Sequence, residues 1–282
     1  MGLALIIMFV AMAFIPAGDA AGKLLTAEFG VAPVFVAWAR FAVGAAVTVP
    51  IAPRETWRLL RDWRVWGRGL ALAGGILSIL TALSTAPLAN VFAALFIGPI
   101  ISFVLSAILL KEPVTVLRSI LVALGFAGVL LVVRPGLNMA PGMGFAVLAG
   151  FFYGIYLTAS RALSGLGRPR SLLTTQLIAG TVALAPLALG YAPPALTWGM
   201  ALAFVASGLA SMLGNLLLVV AYSRASATVL APMVYFQLLA ATGLGWLVFG
   251  DLPDALTWAG LALIVVAGVA SARLAQPRTD RG

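Results

Sequence analysis

Cysteine and histidine are both absent from this 282-residue chain. The first absence excludes a disulfide framework and any thiolate metal site. The second removes the usual general base and the usual zinc ligand. Charge is scarce too: Asp, Glu, Lys and Arg make up 9% of the residues, against 63% hydrophobic and a mean hydropathy of +1.13. A soluble domain of this size carries about 25% charged residues. The excess apolar surface has no interior large enough to hide it, so its solvent is lipid, and a soluble enzyme is excluded.

Almost no ionisable group falls within 3–18, 69–110, 119–133, 135–160, 171–223, 225–250 and 255–272. A spanning helix needs about 20 mainly apolar residues. The two longest stretches therefore hold two helices each, split at Ala86-Pro87 and at Tyr191-Ala192-Pro193-Pro194. The expectation is an all-α integral membrane protein with ten transmembrane helices, near 3–26, 31–51, 67–86, 88–110, 115–133, 142–164, 171–190, 197–221, 227–249 and 254–274.

The net charge of +9 is distributed unevenly. The even loops, the C-tail and the adjoining helix ends carry Arg54, Arg58, Arg61, Arg64, Arg68, Lys111, Arg118, Arg161, Arg168, Arg170, Arg224, Arg273, Arg278 and Arg281, 14 of the 17 basic residues. Lys and Arg stay on the cytoplasmic side, which puts both termini in the cytoplasm. The basic surplus is thus a topology signal aided by anionic lipid, and nucleic acid is not expected as a partner. The first apolar segment lacks a basic n-region and a small-residue cleavage site, so it reads as a retained span.

The sequence repeats itself. Ala82-Leu83-Ser84-Thr85-Ala86 matches Ala221-Tyr222-Ser223-Arg224-Ala225 at an offset of 139, as do Gly69-Leu70-Ala71 with Gly208-Leu209-Ala210 and Glu112 with Asp251. Pro113 pairs with Pro253 and Gly128-Val129 with Gly268-Val269 at 140, and Gly44 and Pro50 pair with Gly180 and Pro186 at 136. The halves are then 1–134 and 141–275, followed by a tail at 276–282. Five helices per half is an odd number, so the second half enters the membrane inverted, a recurring plan of secondary transporters.

Ten helices in two five-helix repeats resemble the EamA-type members of the drug/metabolite transporter superfamily. Asp19-x3-Lys23, Arg40-Phe41 and Lys111-Glu112-Pro113 followed by Gly125 and Gly128 carry the resemblance. It implies movement of a small organic metabolite, often an amino acid or a related amphipathic compound, across the inner membrane. Export is the expected direction. No cofactor or metal is expected, the partners are the solute and the lipid bilayer, and a homodimer is left open.

Asp19 is the only acid well inside an expected span, with Lys23 one turn away on the same face and Arg40 at similar depth in the second helix. An intramembrane charge faces a partner or a water-filled cavity. This trio is either a site for a charged substrate group or a coupling proton, or a structural bridge of Asp19 to Arg40 or Lys23. Pro16 and Pro99 are expected to kink their helices. Ser207, Ser211, Asn215 and Tyr222 share one face of the eighth helix, and Tyr153, Tyr156 and Ser160 one face of the sixth. Hydroxyls serve as interhelical glue, which leaves Tyr153, Tyr156, Asn215, Tyr235 and Gln237 as candidate cavity residues. Glu112 and Asp251 are expected to cap the helices that follow them. Trp57, Trp63 and Trp66 mark an interfacial segment.

A P-loop is absent, so ATP is not hydrolysed on this chain. Two alternatives to a carrier stay open, an integral-membrane enzyme and a channel. The first lacks His, Cys and clustered carboxylates, and the second lacks a visible filter motif.

Overall fold

A computed structural model describes residues 2–86, 88–133, 142–193, 195–250 and 254–274. The expected roles of Asp251 and Pro253, the breakers Pro87 and Pro194, Arg134 and the 276–282 tail lie outside these residues. The described residues form no strand, two short 3-10 helices and thirteen α-helices. In chain order they are α1 (Gly2–Ala27), α2 (Pro33–Thr48), α3 (Glu55–Leu59), α4 (Trp63–Leu83), α5 (Leu88–Leu95), α6 (Ile97–Leu109), α7 (Val116–Val133), α8 (Met143–Ala162), α9 (Pro169–Ala188), α10 (Trp198–Arg224), α11 (Ala227–Val234), α12 (Gln237–Phe249) and α13 (Ala255–Leu274).

Among the described residues, seven segments are long and apolar enough to cross a membrane: Gly2–Ala27, Pro33–Ile51, Trp63–Leu83, Met143–Ala162, Pro169–Tyr191, Trp198–Arg224 and Ala227–Val248. Their outward faces are apolar rather than wettable. Ile6, Phe9, Ile108, Leu109, Leu187, Leu202, Leu247 and Val266 are all exposed, a belt far larger than a soluble monomer tolerates. Arg40, Asp19, Asn215 and Gln237 are instead buried. Lipid outside and polar groups inside is the arrangement expected of a membrane protein.

The two halves of the chain interleave. The long helix α1 packs along α10 and α8 along α4, while α2 lies on α9, α4 on α9 and α10 on α2; α7 pairs with α13 at one side. Small residues allow these close approaches. A Cβ on Gly69 would come 2.6 Å from the Cβ of Ala179, and one on Gly208 would come 2.6 Å from that of Val43.

Two expected spans are broken. The segment expected as one helix over 88–110 is α5 and α6, interrupted at Phe96, and that expected over 227–249 is α11 and α12, interrupted at Tyr235–Phe236. Pro99 lacks the N–H that would bond Leu95, and Pro232 sits inside α11. The two breaks touch, with the Phe96 and Tyr235 rings edge to face and centroids 5.6 Å apart. Pro16, by contrast, is accommodated within a continuous α1. The second expected loop also folds further than anticipated: α3 forms within it and α4 starts at Trp63. Trp57 and Trp63 are exposed there, and the Trp66 indole donates to the Leu60 carbonyl at 2.7 Å.

Candidate functional site

Asp19 and Arg40 meet in the interior. The Arg40 guanidinium donates from Nη1 to Asp19 Oδ1 at 2.6 Å, from Nη2 to the Gly18 carbonyl at 2.7 Å and from Nε to Ser207 Oγ at 3.1 Å. Ser207 donates in turn to the Gly18 carbonyl at 2.8 Å. Both charged residues are 3% exposed. Three helices, α1, α2 and α10, are thereby tied together. Gly22 leaves room for this: a Cβ there would fall 2.7 Å from the Arg40 guanidinium. Asp19 forms an ion pair with Arg40, and Lys23 lies one turn further along α1, half-buried.

A small cavity of ≈ 40 Å³ opens beside this pair. Its wall includes Asp19, Arg40, Gly75, Tyr153, Ser211, Asn215 and Gln237, contributed by α1, α2, α4, α8, α10 and α12. That volume holds water rather than a metabolite. Of the candidates named from sequence, Asp19, Arg40, Tyr153, Asn215 and Gln237 share the cavity wall. Gln237 donates to the Tyr153 hydroxyl at 3.0 Å and leaves its own oxygen without a partner among the described residues. Tyr156 lies deeper, its ring stacked on that of Tyr153 with centroids 6.4 Å apart. Tyr235 is fully buried against Phe96, away from the cavity wall.

A second polar cluster was not anticipated. Arg68, expected among the cytoplasmic positive residues, is 1% exposed. It is the sixth residue of α4, where its side chain turns toward α8 and α9 rather than water. Its Nε donates to Ser160 Oγ at 3.0 Å, Nη1 to the Leu172 carbonyl at 3.0 Å, and Nη2 to Gln176 Oε1. The guanidinium carbon stands 5.4 Å from the centre of the Tyr156 ring. The Tyr156 hydroxyl lies 2.9 Å from Asn215 Oδ1 and 3.1 Å from Gln176 Oε1, and its single proton serves one of them at a time. Asn215 therefore links this cluster to the cavity. A signal existed in the sequence: Gln176 is an amide in a stretch free of charge, and it lies 136 residues after Arg40 as Ser207 lies 139 after Arg68.

Glu112 also departs from expectation. It caps not the helix that follows it but α11, accepting from Ala227 N at 3.2 Å and Thr228 N at 3.0 Å, while Arg161 donates to it at 2.9 Å. A carboxylate suits the positive end of a helix dipole wherever the fold brings one; here the nearest is 115 residues away. Glu55 does the same for α9, accepting from Arg168 N at 2.9 Å and Ser171 Oγ at 2.7 Å. Those two bonds hold its carboxyl below the usual glutamate range. Among the described residues no three potential metal ligands converge.

The EamA-like transporter family model matches the chain twice, over residues 2–134 and 140–272. The chain is 31% identical over 212 residues to the pseudopaline exporter CntI of Pseudomonas aeruginosa, 73% of each chain. It is 28% identical over 214 residues to a riboflavin transporter of Rhizobium johnstonii, 73% of this chain and 69% of that one. Over 236 residues it is 26% identical to the S-adenosylmethionine uptake transporter of Rickettsia bellii, 82% of this chain and 81% of that one. A solved crystal structure shares the fold with a TM-score of 0.79 at 22% identity, covering 97% of this chain and 99% of the other.

Proposed function

The chain belongs to the EamA-like transporter family, and from that premise we propose that it is a secondary transporter moving a small organic metabolite across the bacterial inner membrane by alternating access. The observation that carries this reading is the cavity between the halves, next to the two helix breaks and lined by Asp19 and Arg40. Discontinuous helices at corresponding places in two halves mark the binding region of many carriers.

The breaks correspond closely. The helix pair α5 and α11 has eight residues in each member, α6 and α12 have thirteen each, and α6 and α12 start 140 residues apart. Contacts are reciprocal as well: Gly44 faces Leu177 while Gly180 faces Phe41, both pairs related by 136. These features support ten spans in two inverted five-helix repeats over 1–134 and 141–275, with both termini cytoplasmic. The relatives are named for uptake and for export, so direction is decided by measurement on this chain. An amphipathic solute of the amino-acid kind fits an aliphatic wall with Tyr153 beside an ion pair, and Asp19 is the group assigned to proton coupling.

Counterflow in vesicles tests this. The purified chain should exchange a labelled solute saturably in a panel of amino acids, riboflavin and S-adenosylmethionine. An enzyme would release a changed product, and a channel would conduct without counterflow. Asp19→Asn should keep counterflow and lose uptake driven by an imposed pH gradient; wild-type behaviour in both assays removes Asp19 from the site. For topology, a reporter active only in the cytoplasm should work at Arg61, Gly167 and Gly282 and stay silent at Pro141 and Pro193. Activity at both Arg61 and Pro141 would overturn the odd-helix argument.

A further inference from the structure

Arg68 is a buried cation whose bonded partners are all neutral. It donates to a serine hydroxyl, a backbone carbonyl and an amide oxygen, and among the described residues no carboxylate reaches it. A charge taken out of water without a counter-ion is costly. Beside it the Gln176 Nε2 group is buried and has no acceptor. A guanidinium and an adjacent free amide N–H both lack a negative partner at the same place.

The repeat shows where the partner is missing. Arg40 on α2 meets Ser207 on α10, and the corresponding contact is Gln176 on α9 with Arg68 on α4. Gly208 against Val43 and Gly69 against Ala179 keep the same register. The arginine has changed sides of an otherwise equivalent contact. In the first cluster Asp19 on α1 neutralises the cation. A Cβ on Gly214 would approach Ile15 N, and one on Gly75 would approach Tyr153 N. That register places Leu157 of α8 where α1 has Asp19. An apolar side chain thus occupies the acid's position, next to Tyr156.

A thin cover lies over the cluster. Leu172, whose carbonyl accepts from Arg68, packs with Leu59 of α3, and Glu55 of α3 holds the start of α9. On the other side, Tyr156 and Asn215 lead to the cavity.

We infer that Arg68, with Gln176 and Tyr156, is a receiving site for the anionic group, a carboxylate or a phosphate, of the transported solute. The site lies toward the face closed by α3 and rests on the transporter reading above. Guanidinium matches either oxyanion with two parallel hydrogen bonds, and the free Gln176 amide adds a third donor. The solute's anion stands to Arg68 as Asp19 stands to Arg40.

Matched probes separate charge from shape: N-acetylphenylalanine against its amide, and flavin mononucleotide against riboflavin. Binding to the purified full-length chain is read in detergent as a shift of the thermal midpoint, and transport is read separately by counterflow in vesicles. The anionic member of at least one pair should half-saturate at a concentration about tenfold lower than its neutral partner, and the pair that responds tells carboxylate from phosphate. Gln176→Glu keeps the side-chain shape and supplies an internal counter-ion. It should raise the midpoint without ligand and abolish the anionic preference. Arg68→Lys should keep a weakened preference, and Arg68→Gln should lose it. Equal response to both members of each pair, no response to any probe, or an unchanged preference in Gln176→Glu and Arg68→Gln overturns the site. Anion binding at Arg68 without counterflow leaves the site standing and removes the transporter reading. Counterflow of riboflavin that survives in Arg68→Gln, with no anionic preference in wild type, does the reverse.

Discussion

Two buried arginines do the same mechanical work and differ in charge balance. Arg40 ties α1, α2 and α10 together and is neutralised by Asp19 at 2.6 Å; Arg68 ties α4, α8 and α9 together through neutral acceptors alone. The backbone register beneath them is shared, since the close approaches at Gly208 and Gly69 fall in equivalent places. Small residues that let helices touch admit little variation, because a larger side chain would push the helices apart. The polar groups above them can change without moving the scaffold. A duplicated fold can therefore hold a self-sufficient ion pair at one of two equivalent helix contacts and an unbalanced cation at the other.

The largest expected effect separates these two roles. Arg40→Gln leaves the Asp19 carboxylate buried without a cation and should cost about 3–5 kcal/mol, seen as a marked drop in the thermal midpoint of the purified protein. Arg68→Gln removes a charge that no acid balances and should cost less. The reverse order would break the comparison.

A smaller effect compares the ends of α6 and α12. Lys111 has φ +53°, and Gly250, which follows α12, has φ +75°. The left-handed region costs a residue with a Cβ about 1–2 kcal/mol, which glycine avoids. Lys111→Gly should stabilise the protein by about 1 kcal/mol, while Gly250→Ala should destabilise it by a similar amount. A midpoint that does not rise in Lys111→Gly would mean that the lysine side chain repays its backbone strain.

The smallest effect sharpens the account of α3 as a cover. Glu55 is held below its ordinary value near 4.5 first by the Ser171 hydroxyl and then by the Arg168 N–H. A depressed carboxyl stabilises the folded contact above the ordinary value and loses that contribution as pH falls through the lowered one. Hydrogen exchange should show α3 losing protection at acid pH while α4 keeps it, and Glu55→Gln should flatten that dependence.

Much of this was legible in one dimension. Charge-free runs located the helical segments, and recurring glycines and prolines revealed the offsets that relate α2 to α9 and α4 to α10. Asp19 and Arg40 stood out because ionised groups are expensive in lipid. The interruptions at Phe96 and Tyr235 did not stand out: a uniformly apolar run has no contrast to mark where a helix ends, and Pro99 alone reads as a kink. Arg68 was hidden by its position near a helix end, where a positive residue ordinarily points to water. Glu112 was recognisable as a capping residue, but the helix it caps is distant in sequence, and Glu55 carried no signal of the distant contact it makes.

The sequence by itself determined that the chain is helical, lives in lipid, is internally repeated and carries a charge pair deep in its first two helices. Composition and spacing suffice for these because solvent preference and helix period are local properties. Which helices interleave, where two of them break, which helix each carboxylate caps and which arginine lacks an acid were decided only in the tertiary structure. Those outcomes depend on side-chain direction and on distances between segments more than 100 residues apart, which no local pattern encodes.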